Sequence, residues 1–504
     1  MAPETGTKLI PCEENPYYRL ATVHGVQKNL FSSPFIAFLN SQNRVIWNRY
    51  FAQGLDDSQK AKLKNQGVPS NEIDTPLTVA EQEAIRKRLD GLEEPNYTKE
   101  IEFCKVQFDS LLPMAGFLFP NRVNFNEAKF SGHVDFKGAK FSSYAFFIGT
   151  KFSCTSNLNV SKSSDSNYFL LAKTESYANF KGAKFSNHAF FCETEFRCNS
   201  NFVETEFSRS ALFSETKFFG DATFDRAKFS GAALFSGATK VEDQSEFGGF
   251  LSFAGATFEK EADFTNRVFL TPTNFNQCKF LNFVPIFAGT KLHQLTTWRG
   301  VVWPSLPKID KTEAKEDPNL DQAAKKKKRK KTSLPLIDRV EDQVDAYRNL
   351  RLRMKQIENY QQEVFFLGKE LDAKRRVHWL NKAYFRWFPS LVYKLFSDYG
   401  SSVARPVKGL VWVIVGFGLL VFWNIAGGEW GSLGGMDLWI LLFQSLCFSG
   451  THALPFISPV SASHSMILDS MPLWMVVPAG IAKMLGIGFL FLMGLALRNR
   501  FRIR

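Results

Sequence analysis

At 504 residues the chain is too long for a single hydrophobic core, so two or three domains are expected. A formal net charge of +13 points to an anionic partner, either lipid or nucleic acid. Seven cysteines without a CxxC pair exclude a disulfide framework and fit reduced, cytosolic thiols.

The first segment, Met1 to Glu14, is polar and lacks the apolar stretch of a signal peptide, which predicts a cytoplasmic location for the bulk of the protein. Residues 1–95 do not repeat. Helical spacing at Pro34 to Phe51 and at Val79 to Leu92, the second preceded by Thr78 as N-cap, predicts a small helical cap. Its role would be to shield the first coil of the domain that follows.

Residues 96–295 carry a phenylalanine beat. Phe125, Phe130, Phe136 and Phe141, and later Phe180, Phe185, Phe191, Phe196, Phe202 and Phe207, alternate at five and six residues. Two residues before each stands a small or apolar one, such as Ala128, Ala139, Ala183 or Thr205. No unit this short buries its own core, so the units must stack as a solenoid. Counting in elevens carries one phase from Phe103 to Phe235, through a weak stretch at 153–179 that reads as a degenerate coil with Ser163 and Thr174 at core sites. The register slips between Phe235 and Phe253, resumes, and fades near Phe287 and Leu292.

The unit A-x-F-x-x, as in Ala139-Lys140-Phe141-Ser142-Ser143, resembles the pentapeptide-repeat family over roughly residues 97–292. The resemblance implies a right-handed quadrilateral β-helix with the Phe and the preceding small residue both pointing inward. Alternation of five and six departs from the family pattern and implies about 22 residues per four-sided coil. Some nine coils, stacked at the strand spacing, would make a rod about 43 Å long.

Residues 296–336 turn to Lys, Asp, Glu and Pro and read as a flexible basic linker ending in Lys325, Lys326, Lys327, Lys328, Arg329, Lys330 and Lys331. Such a run is a bare tether, a nuclear-localisation signal, a nucleic-acid patch or a polybasic element on anionic lipid, and the segments that follow favour lipid. From Ile337 to Val377, Val340, Val344, Tyr347, Leu350 and Met354 recur at helical spacing, with Gly368 as the place for a kink or break. His378 to Phe396 mixes Trp379, Tyr384, Trp387 and Phe388 with basic residues, as a membrane interface requires. Residues 337–404 are therefore predicted to be cytosolic or interfacial helices.

The membrane domain is predicted over 405–504. A first span, 409–426, is uncharged and follows Arg405 and Lys408; a second, 473–497, is broken only by Lys483. Between them, 438–448 is apolar but short. No Lys or Arg occurs between Lys408 and Lys483, while Arg498, Arg500, Arg502 and Arg504 close the chain. The positive-inside rule then demands an even number of crossings, which two satisfy with both termini in the cytoplasm; 438–448 is then read as a re-entrant or interfacial helix in preference to a third span, which would leave the final arginines outside. The basic stretches would face the anionic inner leaflet.

Two spans around a re-entrant helix are the arrangement of a pore-loop cation channel. The loop would be Ser449, Gly450, Thr451, His452, Ala453, Leu454 and Pro455, with Glu429, Asp437 and Asp469 at the outer mouth. It contains no TVGYG-like filter, so potassium selectivity is not implied. Lys483 would face a pore, a partner, or one interface if the span begins near Ala482. Gly480, Gly486, Gly488 and Gly494 would permit close helix approach or hinging. Ser397-Asp398-Tyr399-Gly400-Ser401, Arg405-Pro406, Ala453-Leu454-Pro455-Phe456 and the run Leu495 to Arg502 resemble a C-terminal membrane module of bacterial pentapeptide-repeat proteins, over roughly 345–504. That resemblance implies the inner membrane of a bacterium.

P-loop, GxSxG, HExxH and paired-carboxylate patterns are absent and the seven histidines are scattered, so neither enzymatic activity nor a cofactor or metal site is expected. The leading expectation is a homo-oligomeric membrane protein, with a tetramer as the natural closure, whose C-terminal module conducts ions and leans to cations. The alternative is a non-conducting membrane-anchored scaffold that binds a protein along the solenoid. A topoisomerase inhibitor that mimics DNA ranks last, because such mimics are acidic and this chain is basic; nucleic acid is disfavoured as a partner.

Overall fold

The computed structural model describes residues 8–25, 34–237, 246–305, 322–427, 435–454, 456, 467 and 472–501. It forms two compact units, Met1–Ser305 and Leu306–Arg504. The first is a β-solenoid; the second is α-helical and holds two helices long and apolar enough to cross a membrane.

Strands of the solenoid are mostly two residues long and pair in parallel with the strand 22 residues on, so that Lys151 lies beside Lys129 and Lys173, and Ala145 beside Val123 and Asn167. Four sheets result, one per side, of eight strands each, and one gains a ninth from Ile10–Pro11. Eight coils at the strand spacing make a stack about 38 Å long. A last coil, shorter on pairing than the sequence count of nine assumes, is held only by isolated bridges such as Asp263 to Ile286 and Lys279 to Val302.

The alternation of five and six has a local cause. After one Phe of each pair the chain turns through a left-handed residue two positions on, as at Glu127, Gly138, Glu204 and Glu215. After the other it takes a corner one residue longer. At one such corner, Gly231, a Cβ would lie 2.2 Å from the Arg209 carbonyl carbon, so the coils touch there through backbone.

Inside, the rings stack in columns. Phe202 lies 4.7 Å from Phe180 and 4.6 Å from Phe224, with ring planes within 3° of parallel. Offset stacking at the strand spacing lets each ring serve the coil before and the coil after. Where the small site holds Thr, its hydroxyl donates inward: Thr194 to the Phe169 carbonyl at 2.6 Å and Thr205 to that of Phe180 at 2.9 Å. The weak stretch 153–179 is a coil in register, with Ser163 and Thr174 buried at core sites as the spacing predicts.

Across residues 238–245 the pairing interval changes from 22 to 29, with Phe218 beside Phe247, Lys228 beside Thr257 and Ala233 beside Ala262. Past this insertion the small site before Phe269 holds Arg267, which is wholly buried. Its guanidinium donates to the carbonyls of Phe235, of Thr216 at 2.7 Å and of Phe213 at 2.6 Å, and lies over the Phe247 ring. Burial pulls its pKa down to about 9, against the pull of the Glu215 and Asp263 carboxylates, so it keeps its proton at neutral pH. The phenylalanine pattern does not announce an arginine at a core site.

Helices α1 (Pro16–Ala21), α2 (Pro34–Ala52), α3 (Asp57–Asn65) and α4 (Val79–Leu89) belong to the same unit. Thr78 caps α4 as the sequence predicts, in a reciprocal box with Glu81. Trp47 and Asn48 of α2 bond to Leu118 in a first-coil strand, and Asn15 donates to the Glu102 carbonyl at 2.8 Å. At the far end Trp298 stacks on Phe275 at 4.4 Å, ending the ring column with a larger lid.

In the second unit α5 (Gln322–Gln356) and α6 (Tyr360–Leu380) form a hairpin around Val340, Val344 and Ala373. The break falls at Ile357 to Asn359, where Asn359 caps α6, and α6 runs unbroken through Gly368. Lys325 to Lys331, read as linker from composition, lie within α5; Lys and Arg are good helix formers. Then come α7 (Tyr384–Ser397), α8 (Ala404–Ala426), α9 (Gly435–Ala453) and α10 (Val476–Phe501).

Candidate functional site

Helices α8, α9 and α10 pack together around Phe417, Val421, Phe448, Met475 and Ala482. Small residues set the distances. A Cβ on Gly418 of α8 would lie 2.7 Å from the Leu446 side chain of α9, and one on Gly486 of α10 would lie 2.0 Å from the Ala453 carbonyl oxygen. Of the four glycines read from the sequence as a packing face, Gly486 alone meets a neighbour; Gly480, Gly488 and Gly494 face open space.

The two candidate spans are Ala404–Ala426 and Leu473–Phe501, each only 22% buried over its most apolar window. The core helix of a soluble protein would be mostly buried, so this much outward apolar surface fits contact with lipid. Trp423, Trp439 and Trp474 are exposed at the shared end of α8, α9 and α10. The opposite end carries Arg405, Lys408, Arg498 and Arg500 together with α7, whose Tyr384, Phe385 and Phe388 are exposed. Aromatic residues at both ends and cations at one are the pattern of a two-sided membrane interface.

The predicted loop residues have a different local structure. Ser449, Gly450, Thr451, His452 and Ala453 are the last residues of α9, which is 19 residues long rather than the eleven that apolarity alone marks. Their polar side chains bond to backbone: Ser449 donates to the Ile414 carbonyl of α8 at 2.7 Å, Thr451 to that of Phe448 at 2.8 Å, and His452 Nδ1 lies 3.2 Å from the same Phe448 oxygen. Polar groups satisfied along the helix let it continue past the apolar run. Leu454 follows directly, its amide on the Gly450 carbonyl. Asp437 is exposed in the first turn of α9, and Lys483 is exposed on α10. Glu429, Pro455, Asp469, Arg502 and Arg504 lie outside the described residues.

At the basic end a charge cluster ties α6, α7 and the turn into α8. Asp372 accepts from Lys394 at 2.7 Å through both oxygens, from Arg375 at 3.0 Å and from the Tyr399 hydroxyl at 3.0 Å. Burial alone would push its carboxyl up, but these donors outweigh it and hold it below the usual carboxylate range. Glu370, facing α5, is held low in the same way, against its burial, by Lys374 at 2.6 Å and Arg351 at 2.8 Å. The turn itself is unusual: Asp398, Tyr399 and Gly400 are left-handed in succession. Asn499 near the end of α10 donates to the Gly400 carbonyl at 3.2 Å, closing the base of the bundle. Sequence reasoning quoted Ser397 to Ser401 for its resemblance alone; the partners on α6 and α10 are too distant in the chain to be seen there.

Among the described residues no group of His, Cys, Asp and Glu is placed to hold a metal ion. No family model, curated protein or solved structure matches the chain. The solenoid and the two apolar helices are together compatible with a membrane-anchored repeat protein.

Proposed function

We propose that the protein is a homo-oligomeric pore of a bacterial inner membrane, leaning to cations, with its repeat domain and both termini in the cytoplasm. A tetramer is the favoured closure, and the basic stretches rest on the anionic leaflet. The observation that carries this reading is Lys483. It is exposed near the middle of the second candidate span and makes no ion pair among the described residues. A lone ammonium in hydrocarbon costs about 3 kcal/mol or more, so it needs water or a carboxylate from beyond the described residues. Association of copies around a water-filled axis supplies both. A lysine ring on the axis would favour anions, so a cation preference set by Glu429, Asp437 and Asp469 requires Lys483 to face a neighbouring subunit.

The test is current through full-length protein in planar bilayers under a salt gradient, with particle mass in mild detergent. Oligomers with a cation-side reversal potential support the reading. In Lys483→Met, a partly dissociated oligomer with unchanged selectivity places the lysine between subunits, whereas a changed reversal potential places it on the axis. A monomer silent in every salt would sink the pore.

A second reading, a non-conducting scaffold, rests on a specific surface. Phe146, Tyr168 and Phe190 stack outward along one side of the solenoid at 5.0 and 4.6 Å, and Leu212 and Leu234 continue the row in register. Such a ladder suits an apolar strip on a protein partner. Silent monomers would leave this reading standing.

A further inference from the structure

At the basic end of the candidate spans a cleft of about 510 Å³ opens between α6, the turn from α7 to α8, and the end of α10. Two of its lining carboxylates are already matched: Asp372 by Lys394 and Arg375, and Asp398 by Arg405 at 3.3 Å. Lys369 and Arg500 line it too, and neither makes an ion pair among the described residues. Among the described residues, the lining groups and the ion-pair partners of these two carboxylates together set five cations against two carboxylates. Phe365 gives it an apolar wall, with the Lys369 ammonium 5.6 Å from the ring centre.

The cleft is also preformed. Three consecutive left-handed residues, one of them the bulky Tyr399, persist only where the surroundings impose them. Here the Tyr399 bond to Asp372 and the Asn499 bond to Gly400 do so from two sides. A side chain at Gly400 would be strained by its left-handed backbone and would displace the Asn499 amide, since a Cβ would lie 2.8 Å from Asn499 Nδ2. Gly368 lies on the floor beneath the Tyr399 ring, where a Cβ would make an ordinary contact at 3.8 Å.

We propose that this cleft binds a phosphate group, which Arg500 grips through its planar fork and Lys369 neutralises as a point charge. The assignment stands whether or not the helices conduct. The same chemistry reaches this site from two sources, the headgroup of an anionic lipid in the adjoining leaflet or a soluble phosphate compound.

The test uses full-length protein in a neutral detergent at fixed ionic strength and follows the thermal unfolding midpoint. Three probes are titrated: dihexanoyl phosphatidylglycerol, dihexanoyl phosphatidylcholine and inorganic phosphate. The midpoint is expected to rise to saturation with at least one of the two anionic probes, with half-saturation weakened tenfold or more in Lys369→Ala and in Arg500→Ala. Arg498→Ala, which removes equal charge outside the cleft, should stay within twofold of wild type. Saturation by phosphatidylglycerol alone assigns a lipid headgroup, and saturation by inorganic phosphate assigns a soluble ligand. Should Lys369→Ala melt early without any probe, Lys369→Gln replaces it. The proposal is overturned if neither anionic probe saturates, if phosphatidylcholine binds as tightly as phosphatidylglycerol, or if Arg498→Ala loses as much as the cleft variants.

Discussion

Asn48 of α2 takes the place of a missing strand: its Oδ1 accepts the Leu118 amide at 2.8 Å, while the adjacent Trp47 indole donates to the Leu118 carbonyl at 2.7 Å. A first coil has no preceding coil to pair with, and an open parallel edge invites another chain. Two side chains on one helical turn thus supply what a backbone would. Glu72, gripped by Arg44 at 2.9 Å, accepts the Asn48 amide at 2.6 Å and fixes its orientation.

Removing that substitute strand exposes its worth. Asn48→Ala leaves the Leu118 donor buried and unmet, which costs about 1–3 kcal/mol. Hydrogen exchange on full-length protein should show Leu118 and its neighbours opening faster while the middle coils keep their protection. Unchanged exchange at Leu118 would show that the bond does not hold the edge.

Two phenylalanines of the same domain should behave in opposite ways. Phe202 is fully buried between stacked rings, so Phe202→Ala should cost about 3–5 kcal/mol. Phe219 is 55% exposed, and Phe219→Ala should stay within about 0.5 kcal/mol. Denaturant unfolding of the two variants side by side checks the contrast. Equal losses would refute the assignment of inward and outward sites.

The beat made most of the solenoid legible because a period of eleven leaves one choice of which ring faces inward, even through Ser163 and Thr174. It does not reveal Arg267, since the charge is satisfied by carbonyls of distant coils such as Phe213 and Thr216. Apolarity located α8 and α10 but shortened α9, whose last residues are polar and helical through bonds to backbone. The cleft was beyond reach for a different reason. Lys369 and Arg500 line one cleft only because two helices and a turn fold back on one another, and no local pattern records that.

Acid should loosen the helical unit before the solenoid. Glu370 and Asp372 are both held below their ordinary values, so on acidification the unfolded state takes up protons first. Their contribution is complete at neutral pH and is lost as pH falls below about 4, through the depressed folded values. Helical signal and proteolysis of α5 and α6 between pH 6 and 3 check this. In Glu370→Gln the stability lost at neutral pH should leave a shallower acid slope; an unchanged slope would show that the carboxylate is not responsible.

Two glycines two residues apart in α10 provide a test of helix approach. Gly486→Ala sets a methyl against the Ala453 carbonyl and should cost about 1–3 kcal/mol by forcing α9 outward. Gly488→Ala meets nothing and should be neutral or slightly stabilising, because Ala is the better helix former. Thermal unfolding in detergent distinguishes them, and equal effects would mean that α9 does not sit against α10 at that point.

Up to the change of interval at residues 238–245, the regular 22-residue spacing makes the solenoid a ruler with divisions of roughly 4.8 Å. Lys162 pairs with Lys184, and Lys184 with Glu206, so excising Lys184 to Thr205 would bring Glu206 beside Lys162 with every inward ring still in its column. Both closed ends would survive the excision. Its length is therefore open to adjustment by whole divisions, through duplication or loss of a segment, without redesign of a single contact elsewhere.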